Sequence, residues 1–316
     1  MLDLIEYNDE GMFTKVYTFE HPSKPAKVRL IPVVHIGEPS YYSALLDMIG
    51  DQPCLYEFVT GADTSASDLF KTFVYEEDFD EIVRVTKNHE YFKRNRAIFK
   101  RFMKKHAPLE LKILHGQLKT LFWAFTESTL DEIFKVANFS LFDIGTLILL
   151  QRFLADYLQV SFQLKEIDYY GDIMKRDNWH HADIKLDDVK EDDKEPVELT
   201  PGVISYFTDQ VKTVLVSLAS YYKLLKIPTI KERRINFAKL VDNIDNLTRE
   251  MIDDSIPDLM MEVRNEVVIE QIEKMIDKGS TFFVFYGMLH LRSIEEFLTS
   301  KGYVAKEKEF VKVFSF

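Results

Sequence analysis

Two histidines, two glutamates and an arginine carry most of the chemistry this sequence offers. In "RLIPVVHIGEPSYYSALLDMI" (29–49), His35 stands where an apolar strand hands over to an amphipathic helix, with Glu38 three residues on. The stretch "TFFVFYGMLHLRSIEEFL" repeats that arrangement around His290, and Gly287 ahead of the turn lets backbone approach closely. In "CLYEF" (54–58) an apolar strand pattern ends on Glu57, and a carboxylate in such a place is rare unless paired. Two imidazoles and a carboxylate form a nitrogen–oxygen set for one divalent ion such as Mn, Zn or Co, with a position left for water. Plainer readings stand beside this one. A histidine after a buried strand is often a packing residue, and Glu57 could close a salt bridge to an arginine.

Arg264 and Asn265, in "MMEVRNEVVIEQIEKMI", lie on a helix just upstream of the second histidine strand. Arg264 is either a surface ion-pair partner or a fixed cation for a carboxylate or a developing oxyanion. Glu38, or Glu57 if it is no ligand, could take a proton from water. His180, His181 and Asp183 in "NWHHAD" resemble a metal site on paper, but adjacent side chains point apart and Asp183 could simply cap a helix. His89, His106 and His115 sit among lysines in a helical stretch and read as surface or groove residues. The sequence holds no P-loop, no dinucleotide-binding glycine fingerprint, no G-x-S-x-G elbow and no HExxH.

The elements that must position these residues follow from periodicity. Residues 2–34 alternate in the β manner, with turns at Gly11 and "HPSKPA". Residues 29–58 read as a β-α-β unit with parallel strands, its helix starting at Pro39 or Ser40 and stopping before Gly50. Helical periodicity then runs through 68–160 and returns at 203–278. Between them "VSFQLKEIDYY" reads as strand, and the acidic "DNWHHADIKLDDVKEDDKEPVELTPG" as an exposed connection or lid. The end repeats the opening order of strand, turn with histidine, helix and strand. The fold class expected is α/β: a central mixed sheet with flanking helices and a large all-helical insertion. The core spans 1–67 and 161–316, and the insertion of four or five helices, 68–160, forms a wall to the histidine pocket. Strand ends on one sheet edge are where α/β proteins keep their chemistry, so the two imidazoles can meet there.

Composition narrows the function. The chain has 316 residues, 46% hydrophobic and 13% aromatic, enough to bury one large core or two smaller ones. A net charge of −12 argues against non-specific binding to nucleic acid. The single cysteine, Cys54, excludes an internal disulfide framework and sits between apolar neighbours as an inert thiol. The start shows acidic residues and no cleavable apolar run. The best spanning stretch, "FSLFDIGTLILLQRFLADYLQ", is interrupted by Asp143, Arg152 and Asp156, so no transmembrane segment is expected and the cytoplasm is the default setting.

Together the blocks "VVHIGEPSYYSALLDMI…LYEF" and "VRNEVVIEQIEKMIDKGSTFFVFYGMLHLRSIEEFL" resemble the TraB/PrgY/TIKI superfamily, whose signature is shared by the related erythromycin-esterase and ChaN-like proteins. That pattern is a pair of G-x-x-H motifs, an intervening strand-end Glu, and an Arg-Asn helix before the second motif. Carried over, it marks His35, Glu57, Arg264 and His290. The second motif is intact as Gly287-Met288-Leu289-His290, whereas the first has Pro32 at its glycine position. The "IDYY…NWHHAD" segment is similar to one in bacterial members and adds weight to Asp183. The matching blocks cover roughly the first 60 and last 60 residues.

The resemblance implies an α/β core with helical elaboration and, for TIKI-type members, metal-dependent peptidase activity. Other branches are linked to pheromone shut-down, ester hydrolysis or haem binding, so fold alone leaves function open. The expectation is a metal-dependent hydrolase acting on a peptide or ester, with a peptide or small molecule as substrate. His35, Glu57 and His290 would be its ligands and Arg264 its oxyanion partner. The competing expectations are a binding protein that sequesters a peptide, haem or metal without turnover, and a regulatory protein with a vestigial pocket.

Overall fold

A computed structural model describes residues 2–58, 74–76, 148, 151–152, 154–185, 227–251 and 259–316. One compact unit is drawn from Met1–Thr60, Leu154–Lys185 and Ile227–Phe316. The other, 61–153 with 186–226, lies almost wholly outside the described residues, as do nearly all of the expected insertion and the wall it would build.

The centre of the first unit is a mixed sheet of seven strands. Strands β1 (Ile5–Asn8) and β3 (Lys27–Val33) each pair antiparallel with β2 (Gly11–Glu20), in keeping with the alternation of 2–34. Strand β9 (Val304–Phe314) lies along the length of β2, so β1 and β3 share its other edge. Beyond β3 the sheet becomes parallel, through β8 (Phe282–Gly287), β5 (Cys54–Tyr56) and β7 (Trp179–His181). Strands β3 and β5 are thus parallel, but β8 is inserted between them, which sets the two histidine-bearing strands side by side. Pro32 does not interrupt the β3–β8 pairing. It sits opposite Tyr286, and its carbonyl accepts the Tyr41 hydroxyl at 3.0 Å.

Helix α1 (Pro39–Ile49) starts on a proline preset for the first turn and stops at Gly50, whose φ of 52° favours glycine. It buries Tyr41, Tyr42, Leu45 and Ile49. Helix α2 (Ile230–Met251) precedes α3 (Leu259–Asp277), which reverses at Gly279 and returns as β8. Helix α3 buries Val268, Ile272, Met275 and Ile276, and α4 (Leu291–Ser300) buries Leu291, Ile294 and Leu298. Both are single apolar stripes at helical spacing, packed with Leu30, Leu55, Phe282 and Val284 of the sheet. Each such side chain contributes about 1.5–3 kcal/mol. Among the described residues no helix is long and apolar enough to cross a membrane.

Two segments depart from their sequence reading. The strand expected over 160–170 is only β6 (Ser161–Phe162), paired with β4 (Ile36–Gly37), before a one-turn helix Gln163–Glu166. A short apolar run cannot declare its own period, and here Gln163 is buried for its amide rather than exposed as strand alternation suggests. Conversely, the start of the acidic connection is β7, held in the sheet by buried Trp179 and followed by buried Ala182 and Ile184.

Arg234 of α2 ties three distant segments together. Its guanidinium donates to the carbonyls of Leu158 (3.0 Å), Gln159 (2.8 Å) and Ser315 (2.8 Å), and to Glu38 Oε1 at 2.9 Å. Removing one partner of this half-buried charge pair leaves the others without their donor. Arg234→Ala should therefore destabilise the protein by about 1–3 kcal/mol, read as a lower urea midpoint at unchanged slope.

Candidate functional site

The four parallel strands end on one edge, and each hands over a functional residue there. Strand β5 runs directly into Glu57, whose N–H still bonds the Phe285 carbonyl at 3.1 Å. After β7, the Ala182 N–H bonds the Tyr56 carbonyl at 3.1 Å and Asp183 follows. His35 comes two residues after β3, and a 3-10 turn, Met288–His290, carries His290 beyond β8. Because α3 runs back along β8, its amino-terminal half lies over this same edge and delivers Arg264 and Asn265.

Arg264 is the centre of an ion-pair triad. Its Nε and Nη2 donate side-on to the two oxygens of Asp183, each at 2.8 Å, and Nη2 also reaches Glu57 Oε1. The Asp183 side chain is wholly buried, and the other two nearly so. Glu57 Oε2 accepts the backbone N–H of Gly287. A Cβ at position 287 would stand 2.7 Å from that oxygen, so this approach requires glycine. Burial by itself would raise the Glu57 pKa. Arg264 foremost, then the neighbouring imidazoles and the Gly287 N–H, reverse this and hold it below the usual carboxylate range. Burial likewise disfavours the guanidinium, and Glu57 and Asp183 outweigh it to raise Arg264 further.

His290 is buried beside the triad, edge-on to the Tyr286 ring at 5.1 Å. Its Nδ1 lies 2.8 Å from Asn265 Oδ1, while Asn265 Nδ2 donates to Ser293 Oγ at 3.0 Å. That arrangement makes Oδ1 an acceptor and puts the His290 proton on Nδ1. Nε2 is left with a lone pair, and it stands 3.6 Å from Glu57 Oε1, beyond hydrogen-bond range. Burial, reinforced by Arg264 and His35 against the pull of Glu57 and Asp183, lowers the His290 pKa, so at neutral pH the ring is uncharged. Two acceptors therefore face each other across a gap that suits a bridging donor or a cation.

The charge balance points the same way. Two carboxylates share one guanidinium, which leaves the cluster one charge negative beside a neutral imidazole. The 3.6 Å separation is close to the ~3.4 Å edge of a tetrahedron with bonds near ~2.1 Å. The donor chemistry thus fits a divalent ion held by His290 and Glu57. His35 is exposed, and its field reaches both Glu57 and His290. As placed it does not complete the set: among the described residues no three His, Cys, Asp or Glu side chains are spaced to hold one ion.

Other residues singled out by sequence lie apart. Glu38 Oε1 is taken by Arg234 and by the Ser315 N–H, at 2.9 and 3.3 Å, and is occupied in tying the scaffold rather than facing the triad. His181 Nε2 bonds the Phe58 carbonyl at 2.5 Å, and His180 is exposed. Cys54 is buried, which pushes its thiol pKa well up. Two residues of the site were not foreseen. Ser293 gave a weak signal, three residues past His290 in the first turn of α4, and Gln163 gave none beyond a polar residue in an apolar run.

Gly287→Ala should push Glu57 off its backbone donor and cost about 1–3 kcal/mol, visible as a lower melting temperature. Acid should act on the same cluster. His290 and Glu57 both have folded-state pKa values below their unfolded ones. Each contributes stability that is complete above its unfolded pKa, about 6.5 for His and 4.3 for Glu, and lost as pH falls towards the folded value. Urea midpoints are expected to decline below about pH 6.5 and again below about 4.3, and His290→Gln should flatten the first decline.

No protein-family model, no curated protein and no solved structure matches the chain.

Proposed function

We propose that this protein is a hydrolase of peptide or ester bonds, of the TraB/TIKI type, acting at the carboxyl edge of the parallel strands. The observation that supports it is the neutral Nε2 of His290 facing the anionic Glu57 Oε1 at 3.6 Å, in a cluster one charge negative. A divalent ion (Mn, Zn or Co) bound by His290 and Glu57, with His35 turned towards it, would lower the pKa of a water and polarise the substrate carbonyl. Glu57 stays anionic and is a poor proton acceptor, because Arg264 and the Gly287 N–H hold its pKa down. His35 is exposed, so a third ligand there leaves the ion open to solvent, which takes the proton that water releases. Arg264 is committed to Glu57 and Asp183, so its part is to orient Glu57 rather than to receive an oxyanion. The net charge of −12 favours a peptide or small molecule over nucleic acid as substrate, and a cytoplasmic setting accords with a single cysteine.

A second reading has its own support. Glu57 already uses both oxygens, and His35 does not close on His290, as befits a non-catalytic binding or regulatory protein that holds a metal, haem or peptide. Elemental analysis of the purified protein, followed by peptide and ester hydrolysis assays with added Mn, Zn and Co, separates the two. The hydrolase reading expects a bound metal, turnover, and a loss of at least about tenfold in Arg264→Lys, whose point charge cannot reproduce the side-on fork. Metal without turnover would favour the binding protein. Neither metal nor turnover would remove the hydrolase.

A further inference from the structure

We infer that Gln163 is a positioning residue of this site: its buried amide locks His35 with the proton on Nδ1 and keeps the Nε2 lone pair free for an incoming cation or proton. Gln163 grips residue 35 twice. Its backbone N–H donates to the His35 carbonyl at 2.9 Å, and its Oε1 lies 2.5 Å from His35 Nδ1. The amide is oriented from its far end, where Nε2 donates to the Tyr169 hydroxyl at 2.5 Å. Tyr169 is itself fixed by stacking on Phe58, with ring centroids 4.3 Å apart and planes within 9°. Phe58 directly follows Glu57, so the chain that orients His35 is anchored on the strand end that carries the carboxylate. The pairing of Ile36 with Phe162 and Gly37 with Ser161 sets the register that puts Gln163 there.

The arrangement duplicates the one at His290. Each ring gives Nδ1 to a side-chain amide oxygen, and each amide is turned by its own NH2 group, towards Ser293 Oγ in one case and Tyr169 OH in the other. A free imidazole in water prefers its proton on Nε2. An exposed histidine has no reason to hold the other tautomer unless something imposes it, and a buried amide with only 5% exposure is costly unless both its ends are used. Histidines that ligate cations through Nε2 are oriented in this way by an acceptor on the opposite nitrogen. The role assigned to Gln163 rests on the proposed function, whereas the tautomer does not.

The test is nitrogen NMR on histidine-labelled full-length protein at a pH where the rings are neutral, with exposed His180 as internal reference. His35 Nε2 should give a pyridine-type signal, opposite to His180. Gln163→Leu should return His35 to the Nε2–H form, and Gln163→Glu, which still offers an acceptor, should keep it on Nδ1. If Gln163→Leu does not fold, Tyr169→Phe should free the amide and mix the two tautomers. A pyrrole-type Nε2 in the native protein, or a signal unmoved in Gln163→Leu, overturns the inference. Titration with zinc ions alone gives the second readout: affinity should drop about 10–100-fold in Gln163→Leu and much less in Gln163→Glu. If the native protein shows the tautomer but binds no zinc, the metal reading fails and the positioning of His35 stands.

Discussion

One guanidinium makes this sheet edge possible. Strands β5 and β7 are neighbours and parallel, so their ends carry Glu57 and Asp183 to the same side of the molecule, away from water. Two carboxylates so placed would either repel or take up a proton. Arg264 prevents both by donating to three of their four oxygens, and the Gly287 N–H supplies the fourth. What puts Arg264 there is apolar packing. Residues 264, 268 and 272 are spaced four apart, and the second and third are fully buried against the sheet. The stripe that seats α3 therefore projects Arg264 one turn further, past the end of β8. Hydrophobic register fixes where the charge stands, and the charge in turn lets the strand ends remain ionised.

The histidines then divide along the same line. His290 is inside, and burial together with Arg264 keeps it uncharged despite two nearby carboxylates. Protonating it would balance the extra negative charge, yet it would also charge a ring that has little water around it. The cluster keeps a deficit of one positive charge and a lone pair directed at it. A bound cation resolves both at once, which a proton on His290 does only at the cost of desolvation. The chemistry of this donor set suits a cation better than an oxyanion, even though an arginine stands at its centre.

Much of this was legible in the sequence, and the losses have physical causes. The repeated strand–turn–histidine order marked His35 and His290, and the apolar setting of "CLYEF" marked Glu57 as a carboxylate needing a partner. The reversal between α3 and β8 was readable from the short "DKGST" connection, and with it the position of Arg264. The insertion of β8 between β3 and β5 was not, because sheet order depends on packing between segments more than 200 residues apart. Asp183 suffered most from this. It looked like a helix cap in an acidic connection, and only the placing of β7 next to β5 reveals it as the second anchor of Arg264. Gln163 was invisible for a related reason: its meaning lies in a hydrogen bond to a ring 128 positions away.

The two glutamates that follow His35, Glu38 and Glu57, show how environment assigns roles to one chemical group. Glu38 is nearer to His35 in sequence, and it was the natural partner on paper. Its carboxylate instead meets Arg234, which also collects the carbonyls of Leu158, Gln159 and Ser315. Arg234 and Arg264 thus perform the same operation, each gathering acceptors from separate segments. Around Arg234 the carbonyls are neutral and Glu38 balances the guanidinium, so nothing is left over to attract a ligand. Around Arg264 the second carboxylate upsets that balance, and His290 faces the excess. An arginine with one carboxylate is a clasp; with two, beside a neutral imidazole, it leaves an unmet demand for positive charge. That demand is rigid on the side of Glu57 and His290, which are buried and held by fixed partners, whereas exposed His35 can still pivot about its one side-chain tie, Nδ1 to Gln163. Any reorganisation needed to complete the site therefore falls on the histidine whose movement displaces water rather than core.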